Sequence, residues 1–156
     1  MMPYERFEAW RWALELALEI YRVTDQWPKE ERFGLTIQLR RAALSAPTNI
    51  AEGAAKRGNR EFRRFLDIAL GSLSEVSYLL RFSRDRGLLT PEAWLMMESL
   101  RGRTGRVTWR LYLAVSHAAS PLSVHQPSPG SARPPVRPSA EQHHPGGHVS
   151  FRPPST

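Results

Sequence analysis

The residue pattern of this chain predicts an all-α protein: one antiparallel up-down four-helix bundle followed by a disordered Pro-rich C-terminal tail. Three observations carry that prediction. Apolar residues recur at steps of three and four in four successive segments, the spacing of a buried helix stripe, and no segment alternates with the period of two that marks a half-buried strand. Short breaks holding Pro or Gly separate the segments, as in a bundle of antiparallel neighbours. Nine of the 13 prolines fall in residues 121–156, among Gly, Ser and His. Such a stretch buries too little apolar area to offset its ordering entropy. The folded domain is therefore read as residues 4–117 and the tail as 118–156.

The first helix is expected from Phe7 to Thr24, with Phe7, Trp10, Leu14, Ala17, Leu18 and Tyr21 as its apolar stripe. Glu8, Arg11, Glu15, Glu19 and Arg22 cover the other side with mixed charge, as on a solvated helix face. Asp25 to Pro28 ends it. The second helix is expected from Gly34 to Glu52, with Leu35, Leu39, Ala42, Ala43, Ala46 and Ile50 inward and Gly53 as its stop. Pro47 lies inside it, removes a donor and crowds the preceding turn, so a bend is expected there. Ser45, Thr48 and Asn49 are the side chains at hand for the carbonyls this frees.

The third helix is expected from Arg60 to Arg86, with Asn59 as N-cap and Gly87 as the stop. Its stripe is Phe62, Phe65, Leu66, Ala69, Leu70, Leu73, Val76 and Leu80. At about 1.5 Å per residue it would run roughly 40 Å and form the spine of the domain. The fourth is expected from Thr90 to His117. Thr90-Pro91-Glu92 supplies a hydroxyl cap, a proline suited to the first turn and an acid at the positive end of the dipole. Trp94, Met97, Leu100, Thr104, Val107, Leu111 and Val115 form its stripe. Gly71, Ser72, Gly102 and Gly105 are small enough to admit a neighbouring backbone. Trp10, Trp12, Trp27, Trp94 and Trp109 are too many for one small bundle to hide, so some are expected in a subunit interface.

The formal charge is +7. The tail sets Arg133, Arg137 and Arg152 against Glu141, which leaves +5 on residues 1–120. A small basic domain favours polyanions such as RNA, DNA or an acidic partner. The chain has no cysteine, which excludes disulfides, thiolate metal sites and a Cys nucleophile. MMPYERFEAW lacks the basic-then-apolar pattern of a secretory leader, and no apolar run approaches the roughly 18 residues of a membrane span. A cytoplasmic protein without a membrane partner is expected.

Several runs now bear on family. Phe7-Glu8-Ala9-Trp10 is followed by Trp27-Pro28-Lys29-Glu30-Glu31-Arg32-Phe33-Gly34-Leu35-Thr36 and Gln38-Leu39-Arg40-Arg41-Ala42-Ala43. Then come Ser45-Ala46-Pro47-Thr48-Asn49-Ile50-Ala51-Glu52-Gly53, Glu61-Phe62 and Phe65 through Glu75. Over residues 5–113 this order resembles the four helix bundle protein family, which includes proteins encoded by intervening sequences in 23S rRNA genes and is related to accessory variability determinant proteins of diversity-generating retroelements. The resemblance implies a homopentamer of four-helix subunits around a central channel. Through the retroelement relatives it also implies a reverse transcriptase and nucleic acid as partners.

The candidate site residues fall into two groups. Lys56, Arg57 and Arg60, continuing to Arg63 and Arg64, form a basic connection and helix start. Arg103, Arg106 and Arg110 form a second row at i, i+3 and i+7. Each guanidinium can fork onto a phosphate, and rows repeated around a ring would sum to a strong positive field. Asn49, Glu52, Ser72 and Glu75 are polar residues near the packing sides of the second and third helices, expected to form a hydrogen-bonded helix–helix contact that sets register.

Catalytic readings are weaker. A ferritin-like metal pair needs Glu-x-x-His on helices, and the first 120 residues hold only His117. HEPN ribonucleases pair an Arg with a His further along one helix. Arg110 and His117 have six residues between them and share a face, which would serve general acid–base chemistry. Leu111 stands where that motif favours a polar residue. His143, His144 and His148 sit beside Gly146 and Gly147 and imply no structural metal site. The expected protein is thus a non-enzymatic, self-assembling binder of nucleic acid or nucleoprotein, without metal or cofactor. A protein-only scaffold and a small ribonuclease are the alternatives.

Overall fold

The computed structural model describes residues 1–119. From residue 120 on, the expected tail, with its histidines, lies outside the described residues; residues 118 and 119 belong to the last helix. A 3₁₀ turn at Pro3–Arg6 precedes α1 (Glu8–Thr24), and a second at Lys29–Glu31 leads into α2 (Leu35–Ala54). Then come α3 (Asn59–Asp85) and α4 (Pro91–Ala119). Each helix packs on the next in sequence and α4 closes against α1, so the four apolar faces converge on one core. Leu16, Ile20, Leu39, Ile50, Leu66, Val76, Leu80 and Met97 fill it, fully buried. Among the described residues there is no strand.

Every residue of the expected α2 and α3 stripes is buried except Leu70, which is half-buried; Thr36, Pro47, Leu79 and Ser83 are buried beside them. The stripe of α1 is rotated. Its inward residues are Ala9, Ala13, Leu16, Ala17 and Ile20, while Leu18 is exposed. The alanines at i, i+4 and i+8 let α1 sit close to its neighbours. Trp10, Leu14 and Tyr21 move to its flanks, where a large ring is half-covered.

The ends also differ in detail. Gly53 does not stop α2; the helix runs through it to Ala54. Asn59 is the first residue of α3, and the capping position belongs to Gly58 at φ 88°, with no side-chain cap. Gly87, at φ 74°, follows the end of α3 as expected, in a conformation glycine adopts without strain. The Ala93 N–H donates to Thr90 Oγ1 at 3.2 Å, the cap expected for α4, which continues two residues beyond His117. α2 is continuous through Pro47. The side chains of Thr48 and Asn49 donate to the carbonyls of Leu44 and Ser45, both at 2.8 Å. The carbonyl that Pro47 deprives is that of Ala43, so these donors serve the two carbonyls after it.

A single chain engages four of the five tryptophans. Trp27 is buried, Trp10 packs on Tyr4 at 4.7 Å, and the guanidinium groups of Arg103 and Arg84 lie 4.3 and 4.6 Å over Trp12 and Trp94. Only Trp109 stays half-exposed, stacked on Tyr112 at 5.2 Å. Gly71 and Gly105 have no atom within 4 Å of where a β-carbon would stand, and Gly102 meets only the tip of Arg106. Within one chain, these glycines admit no neighbouring backbone.

Candidate nucleic-acid interface

The turn from α2 to α3 is built by Gly58, whose positive φ reverses the chain and starts α3 at once. Lys56 and Arg57 are carried on that turn, and Arg60, Arg63 and Arg64 on the first two turns of α3; all five are exposed. Lys56 Nζ lies 5.4 Å and the Arg64 guanidinium 4.5 Å from the centre of the Phe65 ring, so one aromatic ring supports two cations. Arg64 Nε bonds Glu61 Oε2 at 3.2 Å. Among the described residues the other four have no ion-pair partner. They also stand at the positive end of the α3 dipole, which repels cations and attracts anions. The local field is therefore positive and little neutralised.

The second row has a different setting. Arg103 and Arg106 line a groove of about 480 Å³ with Trp12, Glu15 and Glu19 of α1. Arg110 lines a depression with Arg6 and Glu8. Three carboxylates of α1 thus stand across the seam from three guanidinium groups of α4. One row marks the start of α3, the other the α1–α4 seam. His117 is exposed on the α4 face that carries Arg110.

Of the four polar packing candidates, the structure links two through a third residue. Ser72 Oγ donates to Ser45 Oγ at 2.8 Å across α2 and α3, and Asn49 Nδ2 lies 3.1 Å from the same Ser45 Oγ. Glu52 and Glu75 are exposed and take no part; Glu75 lines a shallow depression with Gln38, Arg41 and Ser45. Ser45 is the residue sequence reasoning assigned elsewhere, to the carbonyls near Pro47. The signal for its actual role is its i, i+4 spacing from Asn49 on the α3-facing side.

A further basic patch escaped the sequence pattern because its members come from two helices. Arg101 holds the Glu98 carboxyl below the usual carboxylate range by hydrogen bonding, against the upward push of partial burial. The charges of Arg101, Arg81 and Arg84 add to the lowering. Among the described residues no three His, Asp or Glu converge as metal ligands, and no helix is long and apolar enough to cross a membrane.

No curated protein matches this chain. Among solved structures it is similar to a protein with unknown function from the S23 ribosomal protein family of Bacteroides thetaiotaomicron VPI-5482. That similarity has TM-score 0.63 and 21% identity, and spans 67% of this chain and 95% of the other. At that identity the likeness is one of fold. The sequence profile described as 23S rRNA-intervening sequence protein matches residues 5–108, which take in α1, α2, α3 and most of α4, and the chain belongs to that family.

Proposed function

We propose that this protein is a non-enzymatic, self-assembling helical bundle that binds the phosphate backbone of RNA or DNA, alone or within a nucleoprotein. The observation that carries this reading is the exposed cluster Lys56, Arg57, Arg60, Arg63 and Arg64 at the positive end of α3, with a single ion pair among its members. Phosphate contacts of this kind position a strand without reading its bases. The self-assembly part is supported by exposed Ile37, Leu44, Ile68, Tyr78 and Phe82 on α2 and α3. Five subunits is the number the family resemblance implies. A reverse transcriptase is the nucleoprotein partner that the retroelement relatives suggest, and the cytoplasm the matching compartment.

The test is binding of single- and double-stranded RNA and DNA across a salt series. Affinity is expected to fall steeply and linearly on logarithmic axes, with little dependence on sequence. A flat salt response would remove the reading. A protein-only scaffold is the second reading, favoured by the carboxylates that face Arg103, Arg106 and Arg110. Retention of a protein partner with no retention of nucleic acid at about 0.1 M salt would select it.

A further inference from the structure

The connection from α1 to α2 encloses a cavity of about 250 Å³ that the basic surfaces of α3 and α4 do not use. Asp25, Trp27, Lys29, Arg32, Thr36 and Arg40 line it. Its charge is lopsided: three cations meet one carboxylate, and that carboxylate is already held by Arg40 Nη2 at 2.6 Å.

Arg40 is fixed in place. Its Nε donates to Thr24 Oγ1 at 2.8 Å, Nη2 reaches the Tyr21 carbonyl at 3.3 Å, and the guanidinium lies 4.5 Å over the Tyr21 ring. Nη1 has no acceptor among the described residues, so a placed donor is left over. A donor held in position costs little further ordering when a ligand arrives. Lys29 and Arg32 are exposed at the rim and form no ion pair among the described residues.

A further observation points the same way. α2 begins here uncapped. Gly34 offers no side chain, the first turn holds no acid, and Thr36 brings a hydroxyl to the cavity. Glu31, the carboxylate near that turn, is drawn to Arg86 at 3.5 Å.

We propose that this cavity binds a phosphate group. Three cations around one carboxylate that is already paired leave a net positive charge, which suits the multiply charged, tetrahedral phosphate oxyanion. The volume falls below the roughly 300–1,000 Å³ of drug-sized pockets, which fits a phosphate and a few attached atoms. The same chemistry is carried by a free small phosphate and by the phosphorylated end of a strand. The site lies on different elements from the Lys56–Arg64 cluster and does not depend on it.

The experiment titrates the full chain with inorganic phosphate by calorimetry, alongside its thermal melt. Saturable binding of one phosphate per chain is expected, with a melting point that rises with phosphate. Lys29→Gln/Arg32→Gln should weaken binding at least about tenfold, as removal of two charge-assisted hydrogen bonds does, and leave the unliganded melt unchanged. Arg60→Gln/Arg63→Gln should leave phosphate binding intact even if nucleic-acid binding fails. Competition by a 5′-phosphorylated oligonucleotide, absent for its unphosphorylated twin, assigns the site to strand ends. Phosphate binding without that competition assigns it to a small phosphate. No saturation by about 10 mM phosphate, or full affinity in Lys29→Gln/Arg32→Gln, overturns the proposal.

Discussion

Gly53 of α2 lies so close to Phe65 of α3 that a β-carbon on it would stand 2.7 Å from Phe65 Cβ, and 2.8 Å from Cδ2 of Phe62. The first of these atoms is fixed to the backbone and cannot turn aside. Gly53→Ala therefore forces α2 and α3 apart where they meet the basic turn. Alanine gains about 1 kcal/mol in helix propensity, but overpacking against an atom that cannot move falls at the upper end of the usual range, about 3 kcal/mol, a net loss of about 2 kcal/mol, and disrupts the Phe7–Phe62 contact at 5.2 Å. A melt followed by circular dichroism should show a fall of about 5 °C or more. An unchanged melting temperature would contradict the close packing.

Gly71 is the counter-case. It sits inside α3, exposed, with nothing within 4 Å of a notional β-carbon. Gly71→Ala should stabilise the isolated subunit by about 0.5–1 kcal/mol, through propensity alone. A loss of stability would mean that another backbone presses on this position, as a second copy of the chain would.

These two glycines show what the sequence makes legible. Periodicity locates four helices and the large apolar residues that α2 and α3 bury, save Leu79, because long stripes leave one inward solution. It could not place α1's stripe, since large rings and alanines compete for the seam and only packing decides. Glycine is ambiguous in the same way: Gly53 reads as a stop, and only the approach of Phe65 shows that it is a point of close packing. The basic cluster at Lys56–Arg64 was visible as a run. The cavity around Arg40 was not, because its donors converge through the fold.

The Ser72–Ser45 hydrogen bond can be weighed by a double-mutant cycle. Ser45→Ala and Ser72→Ala each leave a partner behind in a half-buried seam, so each should cost about 1 kcal/mol. The double variant should cost less than their sum, with a coupling of about 0.5–1.5 kcal/mol in urea melts. Strict additivity would mean that the two hydroxyls bond elsewhere, Ser72 to the Ile68 carbonyl at 2.9 Å.

Glu98 gives a pH signature. Its folded-state carboxyl titrates below its usual value because Arg101 holds the charged form. Such a group stabilises the fold above the unfolded value and loses that stabilisation as pH falls through the folded one. The side chain is partly exposed, so the effect is small, under about 1 kcal/mol. Glu98→Gln should be less stable than the parent near pH 7, and the gap should close below about pH 4. A gap that widens on acidification would reverse the assigned sign.

The two arginine rows make opposite predictions under one assay. Lys56, Arg60 and Arg63 are exposed, unpaired among the described residues and set at the positive end of α3. Each is available to release a counterion from a phosphate. Arg103 and Arg106 share a groove with Glu15 and Glu19, and Arg103 is held over the Trp12 ring. The carboxylates in that groove oppose the approach of a phosphate. Lys56→Gln/Arg60→Gln/Arg63→Gln should therefore reduce the logarithmic salt slope for RNA by about three, roughly one for each phosphate no longer neutralised. Arg103→Gln/Arg106→Gln should reduce it by less than about one. The first variant should melt like the parent and the second slightly lower, by no more than the roughly 0.5–1 kcal/mol of the Arg103–Trp12 contact, because none of these side chains enters the core. If the Arg103/Arg106 variant loses more affinity than the first, strands track the α1–α4 seam instead, and the turn at Gly58 is not the interface.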